Sequence, residues 1–74
     1  MEYLEVTAKF DSAGRVVPIS FTWAGRKINI DRVYDARPAA SLKRGSQGMR
    51  YTCRTGRQSY YLFCDDGRWF LDKI

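Results

Sequence analysis

The chain contains no histidine and only two cysteines, Cys53 and Cys64. That pair cannot supply the four ligands of a structural zinc site. A cysteine nucleophile would also lack an imidazole to activate it. No hydrophobic run approaches the roughly 18–20 residues that cross a bilayer as a helix. The opening Met1-Glu2-Tyr3-Leu4-Glu5-Val6 has neither the basic nor the apolar region of a secretory leader. These absences lead to the expectation of a cytoplasmic, non-membrane protein with reduced thiols and no cofactor. Acidic residues are missing from one stretch altogether. Between Ala36 and Cys64 there is no Asp or Glu, while Arg37, Lys43, Arg44, Arg50, Arg54 and Arg57 all fall there. The net charge of +5 is therefore concentrated in that block. A block of one sign attracts polyanions such as nucleic acid or an acidic protein.

What is present is aromatic. Five tyrosines, four phenylalanines and two tryptophans lie in 74 residues. A single domain covering residues 1–74 is expected from the length, and these rings can fill its thin core. A second copy of the chain is the other means by which so small a sheet covers an apolar face.

Period-two alternation between turn signals recurs along the chain, the mark of half-buried antiparallel strands. In the first strand, near Tyr3 to Phe10, Leu4, Val6, Ala8 and Phe10 share a face. Asp11-Ser12-Ala13-Gly14 is a turn. In the second strand Val17, Ile19, Phe21 and Trp23 share the apolar face, and Pro18 must sit at an edge or a bulge. Ala24-Gly25 supports a tight hairpin. In the third strand the apolar parity switches between Ile30 and Val33, which calls for a bulge or bend. Pro38 should end that strand, Ala39 to Leu42 could form one helical turn, and Lys43 to Gly48 reads as a basic loop. The expected fold is all-β: a small antiparallel meander of about six strands, curled into a barrel-like sheet.

Register is clearest in the last three strands. Asp66-Gly67 centres a type I′ hairpin, which pairs Cys64 with Trp69, Phe63 with Phe70 and Leu62 with Leu71. A turn at Gly56-Arg57 pairs Cys53 with Tyr60 and Tyr51 with Leu62. One face then collects Tyr51, Cys53, Tyr60, Leu62, Cys64, Trp69 and Leu71 and should be the core. Cys53 and Cys64 share that face too far apart in register for a disulfide. The other face collects Arg50, Thr52, Arg54, Tyr61, Phe63, Phe70 and Asp72.

Interleaved arginines and rings of this kind suit single-stranded nucleic acid, whose bases stack on aromatic faces while arginines follow the phosphates. The candidate contacts are Arg50, Arg54 and Arg57 for phosphates and Tyr61, Phe63 and Phe70 for bases, with Lys43 and Arg44 adding charge from the loop. The rival is structural: Phe63 and Phe70 stabilise the sheet as a cross-strand pair, or mediate a protein interaction or homodimer. Catalysis finds no support. Asp65-Asp66 belongs to a hairpin tip, and Lys43 precedes its glycines instead of following them as in a Walker loop. A non-enzymatic binding module is the expectation.

The residues also resemble a family. Phe21-Thr22-Trp23-Ala24-Gly25-Arg26, Ile30-Asp31-Arg32-Val33, Gly48-Met49-Arg50-Tyr51-Thr52-Cys53, Tyr61-Leu62-Phe63 and Trp69-Phe70 are similar to a family of small bacterial all-β proteins that form a domain of unknown function. The resemblance runs from about Val17 onward and rests on core aromatics and turn glycines. It implies a fold and no catalytic residue. Some relatives of the Trp-Gly-Arg pattern look associated with bacterial lesion-bypass DNA polymerases, which fits a nucleic-acid role.

Overall fold

Short turns between alternating strands leave the chain little choice but to fold back on itself repeatedly. The computed structural model describes residues 3–40 and 47–73, with no helix among them. The strands are β1 (Val6–Phe10), β2 (Val16–Trp23), β3 (Arg26–Asn29), β4 (Arg32–Ala40), β5 (Gln47–Thr55), β6 (Gln58–Asp65) and β7 (Arg68–Lys73). All pairings are antiparallel. A first sheet has the order β1-β2-β3 and a second the order β4-β5-β6-β7.

Two sheets of seven strands thus take the place of one curled sheet of six. The difference arises at the expected bend. Ile30 N–H donates to the Ile19 carbonyl in the first sheet at 2.9 Å, and the very next amide, Asp31 N–H, donates to the Arg54 carbonyl in the second at 2.9 Å. Consecutive residues serve different sheets, so the long third strand becomes β3 and β4. The sheets meet again at the N-terminal end. Leu4 bridges to Trp69, while the Glu5 carbonyl accepts from Thr22 N–H at 3.0 Å. Pairing stops at these corners, and no closed barrel forms.

Turn chemistry sets the hairpins. Ala24 and Gly25 have φ of 50° and 74°, and Asp66 and Gly67 have 52° and 77°. Two successive residues with positive φ make a type I′ turn, whose twist matches that of the strands. At the β1–β2 turn the Asp11 carboxylate accepts from the amides of Ala13 and Arg15, each at 2.9 Å. The Arg15 guanidinium adds an ion pair at 2.9 Å. Led by the Arg15 amide, these contacts hold the Asp11 carboxyl below its ordinary value.

The register read for β5, β6 and β7 is the register found. Tyr51, Cys53, Tyr60, Leu62 and Trp69 are buried against the first sheet, which contributes Phe21. Phe21 meets Tyr60 edge-on at 5.3 Å between ring centres, and Tyr51 lies against Trp69 at 5.5 Å. The Tyr51 hydroxyl donates to the Val16 carbonyl at 2.9 Å, so even this buried ring has its polar atom satisfied.

Three expectations need correction. In β2 a bulge separates the Thr7–Ser20 pair from the Ala8–Pro18 pair, leaving Ile19 unmatched. Parity shifts there: Pro18 and Ser20 are buried and Ile19 is 41% exposed. In β1, Ala8 and Phe10 are exposed although Leu4 and Val6 pack on the core. Pro38 does not end its strand. It pairs with Met49, and β4 continues through Ala39 and Ala40, opposite Gly48 and Gln47. β4 is the edge of its sheet, where a residue without an N–H costs no ladder bond on the solvent side. Ala39 and Ala40 are therefore strand and not helix, and β5 takes Gln47 and Gly48 from the expected loop.

Candidate nucleic-acid interface

The side of the second sheet turned away from the core carries the basic and aromatic residues, because strand alternation sends Arg50, Thr52 and Arg54 opposite to Tyr51 and Cys53. The register then aligns these residues across strands. Arg50 stands opposite Phe63, Thr52 opposite Tyr61, and Phe63 opposite Phe70.

β4 adds a row that the sequence alone did not place. Arg32 lies directly opposite Arg54, and Arg37 directly opposite Arg50. A bulge between Val33 and Asp35 leaves Tyr34 unpaired in the ladder. Tyr34 is 45% exposed. The Arg32 guanidinium sits 5.0 Å from its ring centre, and Arg54 donates to its hydroxyl at 3.1 Å. One tyrosine thus holds two opposed arginines together. The Arg50 guanidinium lies 4.6 Å from the centre of the half-buried Tyr61 ring. At the far end Arg68 lies 5.5 Å from the ring centre of Tyr3.

Like charges directly opposite each other destabilise a sheet. Ion pairs join Arg15 to Asp11 and Arg37 to Asp35. The Asp35 carboxylate accepts from Arg37 Nε at 2.6 Å. That bond first, and the nearby Arg37 and Arg50 charges after it, lower the Asp35 carboxyl; the same bond and the Asp35 charge raise Arg37. Arg50 Nε is buried without a hydrogen-bond partner. A guanidinium placed over a ring can keep its outer N–H donors for an oxyanion; for Arg50 those are the terminal nitrogens, since its Nε is buried.

The expected site residues fare unequally. Arg50, Arg54 and Tyr61 come together on this face. Phe63 and Phe70 are on it as well, but they are 3% and 1% exposed. Their rings stack on each other, 5.4 Å apart and 6° from parallel, and Tyr3 meets Phe70 edge-on at 6.4 Å. Neither ring offers a surface to a base, so the stacking role expected of them is withdrawn. They form a second, smaller core on the outer side of the sheet. Arg57 is exposed in the β5–β6 turn, beyond the last ladder pair of Thr55 and Gln58. Lys43 and Arg44 lie outside the described residues. Arg32, Tyr34 and Arg37 were missed because the sequence between β4 and β5 carries no tight-turn signal to advertise their register.

Both cysteines are free thiols. Burial pushes the Cys53 thiol up to about 12 and raises Cys64 as well.

No protein-family model, curated protein or solved structure matches the chain.

Proposed function

We propose that the protein is a non-enzymatic module that binds single-stranded nucleic acid across the outer face of the second sheet. The observation that carries the reading is the pair of opposed arginines, Arg32 with Arg54 and Arg37 with Arg50. Within the fold the like charges are offset only in part, by Asp35 on Arg37 and by Tyr34 between Arg32 and Arg54, whereas a polyanion lying across β4 and β5 gains from both pairs. Arg50 and Arg54 are four residues apart on one strand, roughly 13 Å at the rise of an extended chain. A flexible strand can follow a row of that length. Tyr34 and Tyr61 are the rings left to contact bases, in place of Phe63 and Phe70. The high thiol pKa of Cys53 and the absence of an imidazole fit a role without covalent chemistry. Reduced, free thiols fit a cytoplasmic setting.

Homodimerisation or a protein partner on this face relied on Phe63 and Phe70 as apolar surface. Both rings are buried inside one chain, which weighs against that alternative.

The test is a titration with labelled single-stranded DNA and RNA over a range of salt. Four arginine–phosphate contacts predict a slope of about −2.8 in log K against log salt, and Arg54→Ala should flatten it by ~0.7. Absence of binding at low salt, or an unchanged slope in Arg54→Ala, refutes the reading.

A further inference from the structure

The two sheets do not close over each other at the β2–β3 hairpin, and a cleft of about 410 Å³ opens there. That volume is in the range of small-molecule sites. Phe21 and Tyr60 form its floor, and half-buried Ile28 and Leu71 form its walls. Trp23 stands at its lip, 43% exposed. A large indole left this open beside apolar walls is unusual in a chain whose other tryptophan, Trp69, is buried. The cleft continues into a recess of about 600 Å³ that shares Trp23, Ile28 and Thr55 and adds Arg26 and Lys27.

We propose that this cleft binds a nucleoside phosphate, with the flat heterocycle against Trp23 and the phosphate at Arg26, which stands directly opposite Trp23 across the hairpin. Three features select that class of ligand. The apolar part is bounded by flat rings, which suits a planar heterocycle. Its polar groups gather at one side. Thr55 Oγ1 donates to the Asn29 carbonyl at 3.1 Å, so the hydrogen bond between Thr55 and Tyr60 has Tyr60 as donor. The Tyr60 oxygen then keeps a lone pair for an exocyclic amino group. The recess is positive. Its one carboxylate, Asp31, accepts from the Gly56 N–H at 2.6 Å and keeps its charge, against Arg26 and Lys27 in the same lining; of these two cations Arg26 stands directly opposite Trp23 and shares its face, while Lys27 alternates to the other side of the hairpin.

This site is separate from the proposed interface. Tyr60 and Leu71 face the core side of the second sheet, and Arg50 and Arg54 face away from it. The same chemistry can arrive as a free nucleotide or as the terminal nucleotide of a strand.

The test follows the two indole N–H signals by NMR, with Trp23→Phe assigning them. AMP, adenosine, inorganic phosphate and a short oligonucleotide carrying a terminal phosphate are titrated in turn. AMP should shift the Trp23 signal and the Thr55 and Ser59 amides to saturation and leave Trp69 little changed. Adenosine should bind about tenfold more weakly, and Arg26→Glu should reduce AMP to the adenosine level. Phosphate alone should not move Trp23. An oligonucleotide that shifts Trp23 when AMP does not assigns the site to strand ends; the reverse assigns it to free nucleotide. Silence from both, or equal affinity for AMP and adenosine, overturns the proposal. The Arg26 change lies on an exposed rim, so the outcome does not depend on whether Trp23→Phe folds. Arg54→Ala should leave AMP binding unchanged, which keeps failure here distinct from failure of the sheet-face reading.

Discussion

Replacing Phe63 with alanine separates a structural ring from a binding one. The side chain is 3% exposed and stacks in parallel on Phe70, itself 1% exposed. Truncating a buried phenylalanine costs about 3–5 kcal/mol through lost transfer energy and the cavity left behind. The ring pair adds about 0.5–1.5 kcal/mol beyond area burial. At about 0.05–0.15 kcal/mol per residue, a chain of this length has roughly 4–11 kcal/mol of stability in all. The substitution therefore removes a third or more of it. The melting temperature should fall by at least ~12 °C, since each kcal/mol shifts a domain of this size by about 4–8 °C. Urea unfolding followed by circular dichroism measures the loss as a lower midpoint with an unchanged slope. A loss below ~1 kcal/mol, the size expected of a surface site, would refute the burial argument. If oligonucleotide binding fell at the same time, the stacking role withdrawn above would have to be restored.

Gly48→Ala should destabilise the protein by about 1–3 kcal/mol, because a Cβ there would stand 2.4 Å from the Cys64 backbone carbonyl oxygen; chemical denaturation checks this. Cys53, with its thiol raised to about 12 by burial, should resist a thiol reagent at pH 8 in the native state and react once urea unfolds the chain. Reaction at the rate of a free thiol in native buffer would contradict its burial. The Asp11 carboxyl titrates below its ordinary 3.8. A carboxyl lowered by folding contributes stability in full above the unfolded value, and the contribution disappears as pH falls through the lowered one. Asp11→Asn should therefore flatten the acid limb of the pH–stability curve below about pH 4 and leave the shape at neutral pH unchanged. An NMR titration of the Asp11 carboxyl with a midpoint at or above 3.8 would count against the turn geometry.

The last three strands were readable residue by residue because two short turns link them. With Asp66-Gly67 and Gly56-Arg57 as pivots, every pair from Asp65–Arg68 inward follows by counting, and each is found. The bend after Ile30 was readable for a related reason: a parity switch must be absorbed somewhere in the backbone. Three features were not readable. Pro18 called for an edge or a bulge, and the β2 bulge lies beside it, but the parity change at Ile19 depends on the neighbouring strand, which skips a partner between Thr7 and Ala8. The persistence of β4 through Pro38 depends on its being an edge. The row of Arg32, Tyr34 and Arg37 depends on the pairing of β4 with β5, whose register no tight-turn signal in the sequence sets.

Alternation and turn residues are local properties, so strand identity, hairpin order and the division of the last three strands into two faces could be had from the chain alone. Exposure is not local. Phe63 and Phe70 occupy alternate positions that look open to solvent, and only the approach of Tyr3 and the stacking of the two rings reveal that they are covered. Trp23 occupies an apolar position that looks buried, and only the divergence of the two sheets leaves it at the lip of a cleft. Whether a side chain meets water depends on segments far away in sequence. For that reason the basic face survived as a candidate while the rings assigned to it changed.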